Sequence, residues 1–524
     1  MKNVKTRIAV LSVMAALALA LTACNLADLI QGTEASAEAP VSAQVSTKSA
    51  TLEIETDTGS QNTLTYPIVD TDQEKCYNNN QEIPFSESAF TGQDAMYMGS
   101  ISQYRDNGDG TVTDLVTGLM WQQDPGEKMT YEKAVNGAST FELAGYTDWR
   151  LPTIKELYSL ILFDGTDASS CLGTCSLIPF IDTRYFDFSY GDTAAGERVI
   201  DSQFATSTHY GSTTMHGAMT MFGVNFADGR IKGYPVEAMP GQNSAKTFFV
   251  LYVRGVDSYG LNEFVDQGNG TILDHSTGLT WMQVDSQTGM DWQSALEYCE
   301  ALDFAGQTDW RLPDVKELQS IVDYTRSPDI TASAAIDPLF QTTSIINEAG
   351  QSDYPYFWSS TTHVETGGEG STANYVSFGR AMGYMDGWID VHGAGAQRSD
   401  PKTGSASSYP EGHGPQGDAI RIQNYARCVR GGEVTSSTSE YEGVSRPQMT
   451  VESTGINMDQ MDNQQNQSTG QTPPVEALQA CLNASRGDSC QFTLPNDTLN
   501  GTCSAIQQQL VCVPAGGIPD RRLP

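Results

Sequence analysis

The chain has 524 residues, with 29 Lys and Arg against 64 Asp and Glu, for a formal net charge of −35. That length calls for several folded units, and the charge repels polyanions, which argues against nucleic acid as a partner. A hydrophobic fraction of 39%, 9% aromatics and 49 glycines describe a loop-rich chain with enough apolar matter to bury.

Lys2, Lys5 and Arg7 precede an apolar run over residues 8–21, too short to span a bilayer as a mature helix and followed by small residues. Residues 1–23 therefore have the form of a signal peptide. The segment Leu21-Thr22-Ala23-Cys24 resembles the lipobox of bacterial lipoproteins. The resemblance implies cleavage before Cys24 and acylation of that residue, making the bilayer a partner, because several acyl chains anchor stably. Asn25 is not the aspartate tied to inner-membrane retention in some bacteria, so the expected location is the outer membrane or cell surface. Cleavage would leave 26 basic against 64 acidic residues, or −38. Residues 24–50 read as a tether. Residues 51–100 read as short strands and turns around Cys76, with no assigned role.

Beyond residue 100 the chain repeats itself. Tyr104 to Trp121 (YRDNGDGTVTDLVTGLMW) aligns with Phe264 to Trp281 (FVDQGNGTILDHSTGLTW) at an offset of 160. The offset is 161 at Thr147-Asp-Trp-Arg-Leu-Pro152 and Thr308-Asp-Trp-Arg-Leu-Pro313, 154 at Phe204–His209 and Trp358–His363, and 176 at Val253-Arg-Gly255 and Val429-Arg-Gly431. So long a period means two complete domains, at 101–255 and 261–432, rather than a solenoid. Each copy reads as strand, turn, strand, two helices, then several strands. Thr153-Ile-Lys-Glu156 and Asp314-Val-Lys-Glu317 are capping boxes that follow a proline. Ile154, Leu157, Leu160 and Ile161 share one helical face, as do Val315, Leu318, Ile321 and Val322. The expected class is α+β. Residues 433–473 read as a flexible linker, and residues 474–524 as a small cysteine-rich module.

The string Gly-Asp-Gly-Thr-Val-Thr-Asp with Thr-Gly-Leu-Met-Trp121, then Trp149-Arg-Leu-Pro-Thr-Ile-Lys-Glu-Leu157, Trp358-Ser-Ser-Thr361 and Arg427-Cys-Val-Arg430, resembles the Lcl C-terminal domain family. The resemblance covers residues 101–432 and implies an extracellular binding module. By analogy it implies tandem C-type-lectin-like domains whose long loops carry the ligand surface. The collagen-like adhesin that names the family is associated with sulfated polysaccharides, which transfers badly to so acidic a chain.

An exported chain can form disulfides. Cys299 and Cys428 correspond to Ala138 and Tyr252 in copy 1, so both members occur in one copy and neither in the other, as a bonded pair requires. Cys171 and Cys175 flank Leu-Gly-Thr in an insertion peculiar to copy 1, where a local bridge is expected. Cys481, Cys490, Cys503 and Cys512 allow three pairings. Cys76 is left over, as a thiol or an intermolecular link.

Asp106, Asp109, Asp114, Asp266 and Asp274 suit either Asx turns or a hard cation such as calcium. The EF-hand spacing is absent and Asn269 replaces Asp109, which favours turns, so no metal or cofactor is assigned. Trp149-Arg150 and Trp310-Arg311 read as core and buried-pair residues, with Glu156 and Glu317 as partners. His209 and His363 follow Ser/Thr runs but lack a triad context, so no catalytic residue is assigned. Between Val376 and Val429, copy 2 carries 24 more residues than copy 1, including Tyr384, Trp388, His392 and Tyr409. This excursion is either a ligand-binding surface or decoration.

These readings describe a non-catalytic surface lipoprotein that binds an extracellular glycan or protein, its oligomeric state undetermined. The rivals are an enzyme related to formylglycine-generating oxidases, which share the expected fold, a structural envelope protein, and a ligand-display protein diversified by targeted mutagenesis.

Overall fold

A computed structural model describes residues 64–437 apart from 87 and 240–243, then 443, 445–453 and short stretches between 479 and 514. The signal peptide, Cys24, the tether, residues 51–63 and residues 454–473 lie outside the described residues.

Copy 1 contains β1 (Tyr104–Asp106), β2 (Thr111–Asp114), β3 (Met120–Gln122), α1 (Tyr131–Ala138), α2 (Ile154–Tyr158), β4 (Gly173–Leu177), β5 (Gln203–Phe204), β6 (His209–Thr214), β7 (Ala218–Asn225), β8 (Arg230–Pro235) and β9 (Val253–Arg254). Copy 2 contains β10 (Phe264–Asp266), β11 (Thr271–Asp274), β12 (Leu279–Met282), α3 (Trp292–Glu300), α4 (Val315–Ser320), β13 (Tyr356–His363), β14 (Thr372–Ser377), β15 (Met382–Tyr384), β16 (Trp388–Asp390), β17 (Gln397–Pro401) and β18 (Val429–Gly431). Strands far outweigh helices. Among the described residues no α-helix exceeds nine residues, so the chain is mostly β where α+β was expected.

Each copy opens with a four-stranded antiparallel sheet, in the order β9-β3-β2-β1 in copy 1 and β10-β11-β12-β18 in copy 2. The first hairpin needs glycine: Gly108 and Gly110 have φ of 72° and 86°, and Gly268 and Gly270 repeat this at 70° and 88°. Both capping boxes form. Thr153 Oγ1 accepts from Glu156 N at 3.2 Å and Glu156 Oε2 accepts from Thr153 N at 2.8 Å, with Asp314 and Glu317 matching them in copy 2. The helices are shorter than their apolar period. They stop at Tyr158 and Ser320, and Leu160, Ile161, Ile321 and Val322 are buried in the turns that follow.

The two copies share a third sheet. Strands β6, β7 and β8 join β17, β14 and β13 in the order β6-β7-β8-β17-β14-β13, with β5 also paired to β7. The seam is the antiparallel pair Ile231 and Gln397. Ile231 opposes Val224 on β7, and Gln397 opposes Val376 on β14, so the seam is a pseudo-two-fold axis. The helices obey the same symmetry. Lys155 Nζ donates to Ser320 O at 2.7 Å and Lys316 Nζ donates to Ser159 O at 3.1 Å. Each lysine thus satisfies a carbonyl freed at the end of the other copy's helix, the reciprocity of a symmetric dimer interface within one chain. Burial draws both ammonium groups down to about 8.

Residues 64–102 acquire a role that the sequence withheld. Gln73 donates to Phe163 O at 3.2 Å and to Thr362 O at 2.8 Å, and accepts from Thr362 N, so it bridges the copies. Asp94 accepts from Thr71 and Thr361 hydroxyls and is buried. The expected linker also needs correction in part. Its residues Met449–Ser453 form β19, which pairs antiparallel with β4 of copy 1, and buried Arg446 donates to Pro179 O at 2.6 Å and Ile181 O at 2.9 Å. The tail is a three-stranded meander of β20 (Ser489–Leu494), β21 (Asp497–Ile506) and β22 (Gln509–Pro514).

Candidate functional site

The motifs common to both copies are consumed by structure. Trp149 and Trp310 are buried, and their indole N–H groups reach Leu143 O at 3.4 Å and Phe304 O at 3.1 Å. Arg150 forks onto Glu156, Nη1 to Oε2 at 2.6 Å and Nη2 to Oε1 at 2.5 Å. Arg311 forks likewise onto Glu317, with Nη2 to Oε1 at 2.7 Å. The backbones of Arg150 and Arg311 pair with Val253 and Val429. The motif aspartates meet the last-strand arginines: Arg254 Nε donates to Asp148 at 2.7 Å and Arg430 Nε to Asp309 at 2.7 Å. The Trp-Arg-Leu-Pro and Val-Arg-Gly motifs are therefore two halves of one clasp.

Cys299 and Cys428 form a disulfide that ties α3 to the residue before β18, Cα atoms 5.5 Å apart, both fully buried. In copy 1 Tyr252 holds the same place, donating from its hydroxyl to Ala134 O at 2.8 Å and packing on the Phe141 ring at 4.7 Å. A mostly apolar cavity of about 430 Å³ opens beside it, lined by Met129, Gly137, Phe141, Val250 and Tyr252 among others. Cys171 pairs with Cys175, Cys481 with Cys503 and Cys490 with Cys512. The sulfurs of Cys481, Cys490 and Cys512 cluster closely enough for a metal, but all three are bound in disulfides and offer no thiolate. Cys76 is buried outside the four bridges.

The acidic turn residues bond their own backbone. Asp106, Asp109 and Asp114 accept from Gly108 N at 2.8 Å, Thr111 N at 3.1 Å and Val116 N at 2.9 Å. Asp266, Asn269 and Asp274 do the same in copy 2. These are Asx turns. The matched histidines diverge. His209 is exposed and meets Tyr131 Oη at 2.9 Å. His363 is buried between Asn374 at 3.1 Å and Asp167 at 3.0 Å, and Asp167 also pairs with Arg230 at 2.7 Å. With no nucleophile in these contacts, the network joins copy 1 to copy 2 across the seam.

The excursion of copy 2 straddles both copies. Strands β15 and β16 form a hairpin in which Tyr384 and Trp388 are directly paired, rings 5.5 Å apart edge to face and half-buried. The hairpin docks on copy 1, where Tyr210 Oη donates to Asp390 at 2.8 Å and Met215 N to Asp390 O at 2.9 Å. The following loop returns to it, as Tyr384 N donates to Gly417 O at 2.9 Å. A Cβ on Gly417 would lie 2.6 Å from Tyr384 O, so this approach requires glycine. Tyr409 is half-buried against His413. His392 is not the surface residue its loop position suggested. It is 3% exposed, contacts Asp418 at 3.0 Å, and is held well below the usual imidazole range by burial and by Arg398 and Lys232.

Beneath the excursion lie residues that the sequence did not single out. On one face of the seam, Arg230, Lys232 and Tyr234 of β8 adjoin Arg398 and Asp400 of β17, with Asp228 at the end of β8. Lys232 pairs with Asp228, and burial draws it down to about 7. Asp418 pairs with Arg398. Arg421 lies over the Tyr356 ring at 3.6 Å, and Tyr356 stacks on Tyr375 at 4.4 Å. These groups come from both copies and converge only when the seam forms, so no local spacing could reveal them.

The model of the Lcl C-terminal domain family matches residues 110–254 and 270–392, just over half of the chain. The second match stops inside the excursion, before β17. No curated protein and no solved structure matches the chain. With a capping box and an Arg–Glu fork in each of the two matched segments, the chain belongs to the Lcl C-terminal domain family, whose domain it carries twice.

Proposed function

We propose that this protein is a non-catalytic surface lipoprotein, anchored through acylated Cys24 at the outer membrane or cell surface. It engages an extracellular glycan or protein through the copy-2 excursion, on two C-type-lectin-like scaffolds. One observation carries the reading: the shared motifs are spent on internal bonds, whereas the unshared hairpin keeps Tyr384 and Trp388 partly at the surface. Aromatic rings give contact area at low entropic cost. An oxidase of the formylglycine-generating kind needs a reactive cysteine pair beside its substrate. Cys299 and Cys428 are fully buried in a bridge between a helix and the base of a strand, which speaks against that rival.

The test is to screen the full mature chain against glycans and cell-surface proteins, with and without calcium, beside the double variant Tyr384→Ala/Trp388→Ala. The expected result is a bound ligand whose affinity falls at least about tenfold in the variant. Undiminished binding would remove the hairpin from the account, and rapid alkylation of two thiols in copy 2 of the native protein would restore the enzyme.

A further inference from the structure

We infer that the cavity of about 430 Å³ in copy 1 is a binding site for a small aromatic amine, a single ring with a cationic end. None of its lining residues belongs to the excursion, so the site stands independently of the proposed function. Its ground is a comparison of the two copies. Gly137 on α1 corresponds to Tyr298 on α3 at the offset of 161, and residues 124–126 correspond to 285–287 at the same offset. In copy 2 the Tyr298 ring is half-buried against the core that holds Ala426 and Cys428, and burial and then Asp285 push its hydroxyl up. That ring therefore occupies the space between the helix and the Asp285 loop. In copy 1 the matching space, between Gly137 and residues 125–127, is the cavity. Copy 1 cannot fill it with a ring of its own, because a Cβ on Gly137 would lie 2.7 Å from the Tyr252 hydroxyl. A ligand ring can take the place that Tyr298 takes in copy 2.

The lining selects the ligand. Met129, Phe141, Val250 and Tyr252 form the walls, and a thioether with two aromatic rings favours an aromatic partner over an aliphatic one. Gln122 is already spent, since its Oε1 accepts from Tyr252 N at 3.2 Å and its Nε2 donates to Asp124 O. The depth of the cavity thus asks for a ring and not for a hydrogen-bonding group. Gly126, Glu127 and Thr140 are exposed and form the mouth. Glu127 is the one charged side chain among the described residues that line it. Its carboxylate draws a cation and repels another carboxylate, a preference that the net charge of −35 reinforces. The volume falls within the range of small-molecule sites.

The experiment uses the full mature chain with 2-phenylethylamine, phenylacetate and 2-cyclohexylethylamine as probes, read by saturation-transfer NMR and calorimetry. Thr140→Trp lays a bulky ring across the mouth from an exposed position, and Glu127→Gln removes the charge there. Urea midpoints control for folding in both. The expected result is 2-phenylethylamine bound in preference to the other two probes, at least about tenfold more weakly in Thr140→Trp and about threefold more weakly in Glu127→Gln. Tyr384→Ala/Trp388→Ala should leave that binding unchanged. No amine bound, or amine binding that Thr140→Trp leaves untouched, overturns the inference and leaves the proposed function standing. Should Thr140→Trp lower the midpoint, Glu127→Gln decides alone, and an unchanged affinity there overturns the inference. Phenylacetate or 2-cyclohexylethylamine bound as tightly overturns it too, as does amine binding lost in the hairpin variant. A screen of glycans and surface proteins that finds no ligand removes the proposed function and leaves the cavity site untouched.

Discussion

The two Arg–Glu forks form an experiment within one chain. Glu156 and Glu317 occupy the same place in the same capping box and each holds an arginine by two hydrogen bonds. Two things differ: the N-cap is Thr153 in copy 1 and Asp314 in copy 2, and the Arg150 side chain is 33% exposed where that of Arg311 is 5% exposed. Glu→Gln keeps shape and an acceptor for the N-cap N–H, so the capping loss is small and common to both. At Glu156 water can re-solvate the guanidinium, and the loss should be about 1 kcal/mol, as for exposed pairs. At Glu317 the substitution strands a buried cation, a perturbation of about 3–5 kcal/mol. Part of that returns, because burial and then the Glu317 charge push the Asp314 carboxyl up, and removing the charge relieves it. We expect about 3 kcal/mol for Glu317→Gln against about 1 for Glu156→Gln. Urea unfolding of both variants at equal m-value reads the difference. Losses equal to within about 0.5 kcal/mol would refute the argument that burial sets the value of the fork.

Three further outcomes are expected. Cys299→Ser opens a loop with a sequence separation of 129 and should cost about 5 kcal/mol in the loop-entropy model; a loss below about 1 kcal/mol would show that copy 2 does not use the tie. Tyr252→Phe deletes one hydrogen bond to Ala134 O and should cost only about 1 kcal/mol, measured in the same assay. Asp94 is pushed up to about 7 by burial, then by Asp70, so its protonated form favours folding. That contribution is full below about pH 4, its unfolded value, and is lost as pH rises through about 7, up to about 4 kcal/mol. Asp94→Asn should flatten this decline in chemical unfolding between pH 5 and 8, and an unchanged slope would remove Asp94 as its source.

Much of the scaffold was legible because its signals are local. A capping residue three positions before a glutamate, glycines flanking one residue in a hairpin, and a cysteine pair present in one copy alone each depend on neighbours or on internal comparison. What stayed hidden is long-range. Ile231 meets Gln397 across 166 positions through one side-chain-to-backbone bond and a strand register, and nothing periodic announces that the copies share a sheet. His392 illustrates the same limit: it sits in a glycine-rich excursion yet is buried because that excursion folds back on copy 1. Leu160 and Ile321 show a subtler one, since apolar spacing carries past the helix end wherever the turn stays in the core. Residues 449–453 are polar enough to read as a linker, but an edge strand needs only backbone groups and a free neighbour.

The central claim is a division of labour: motifs shared by the copies support the fold, and the unshared excursion meets the ligand. Pairing affinity with stability for Arg150→Met and for Trp388→Ala, on the glycan or surface protein that the screen of the full mature chain identifies, tests this directly. The account predicts that Arg150→Met lowers the urea midpoint and leaves Kd within about twofold, while Trp388→Ala leaves the midpoint and raises Kd about tenfold. An Arg150→Met protein of undiminished stability that no longer binds would contradict it.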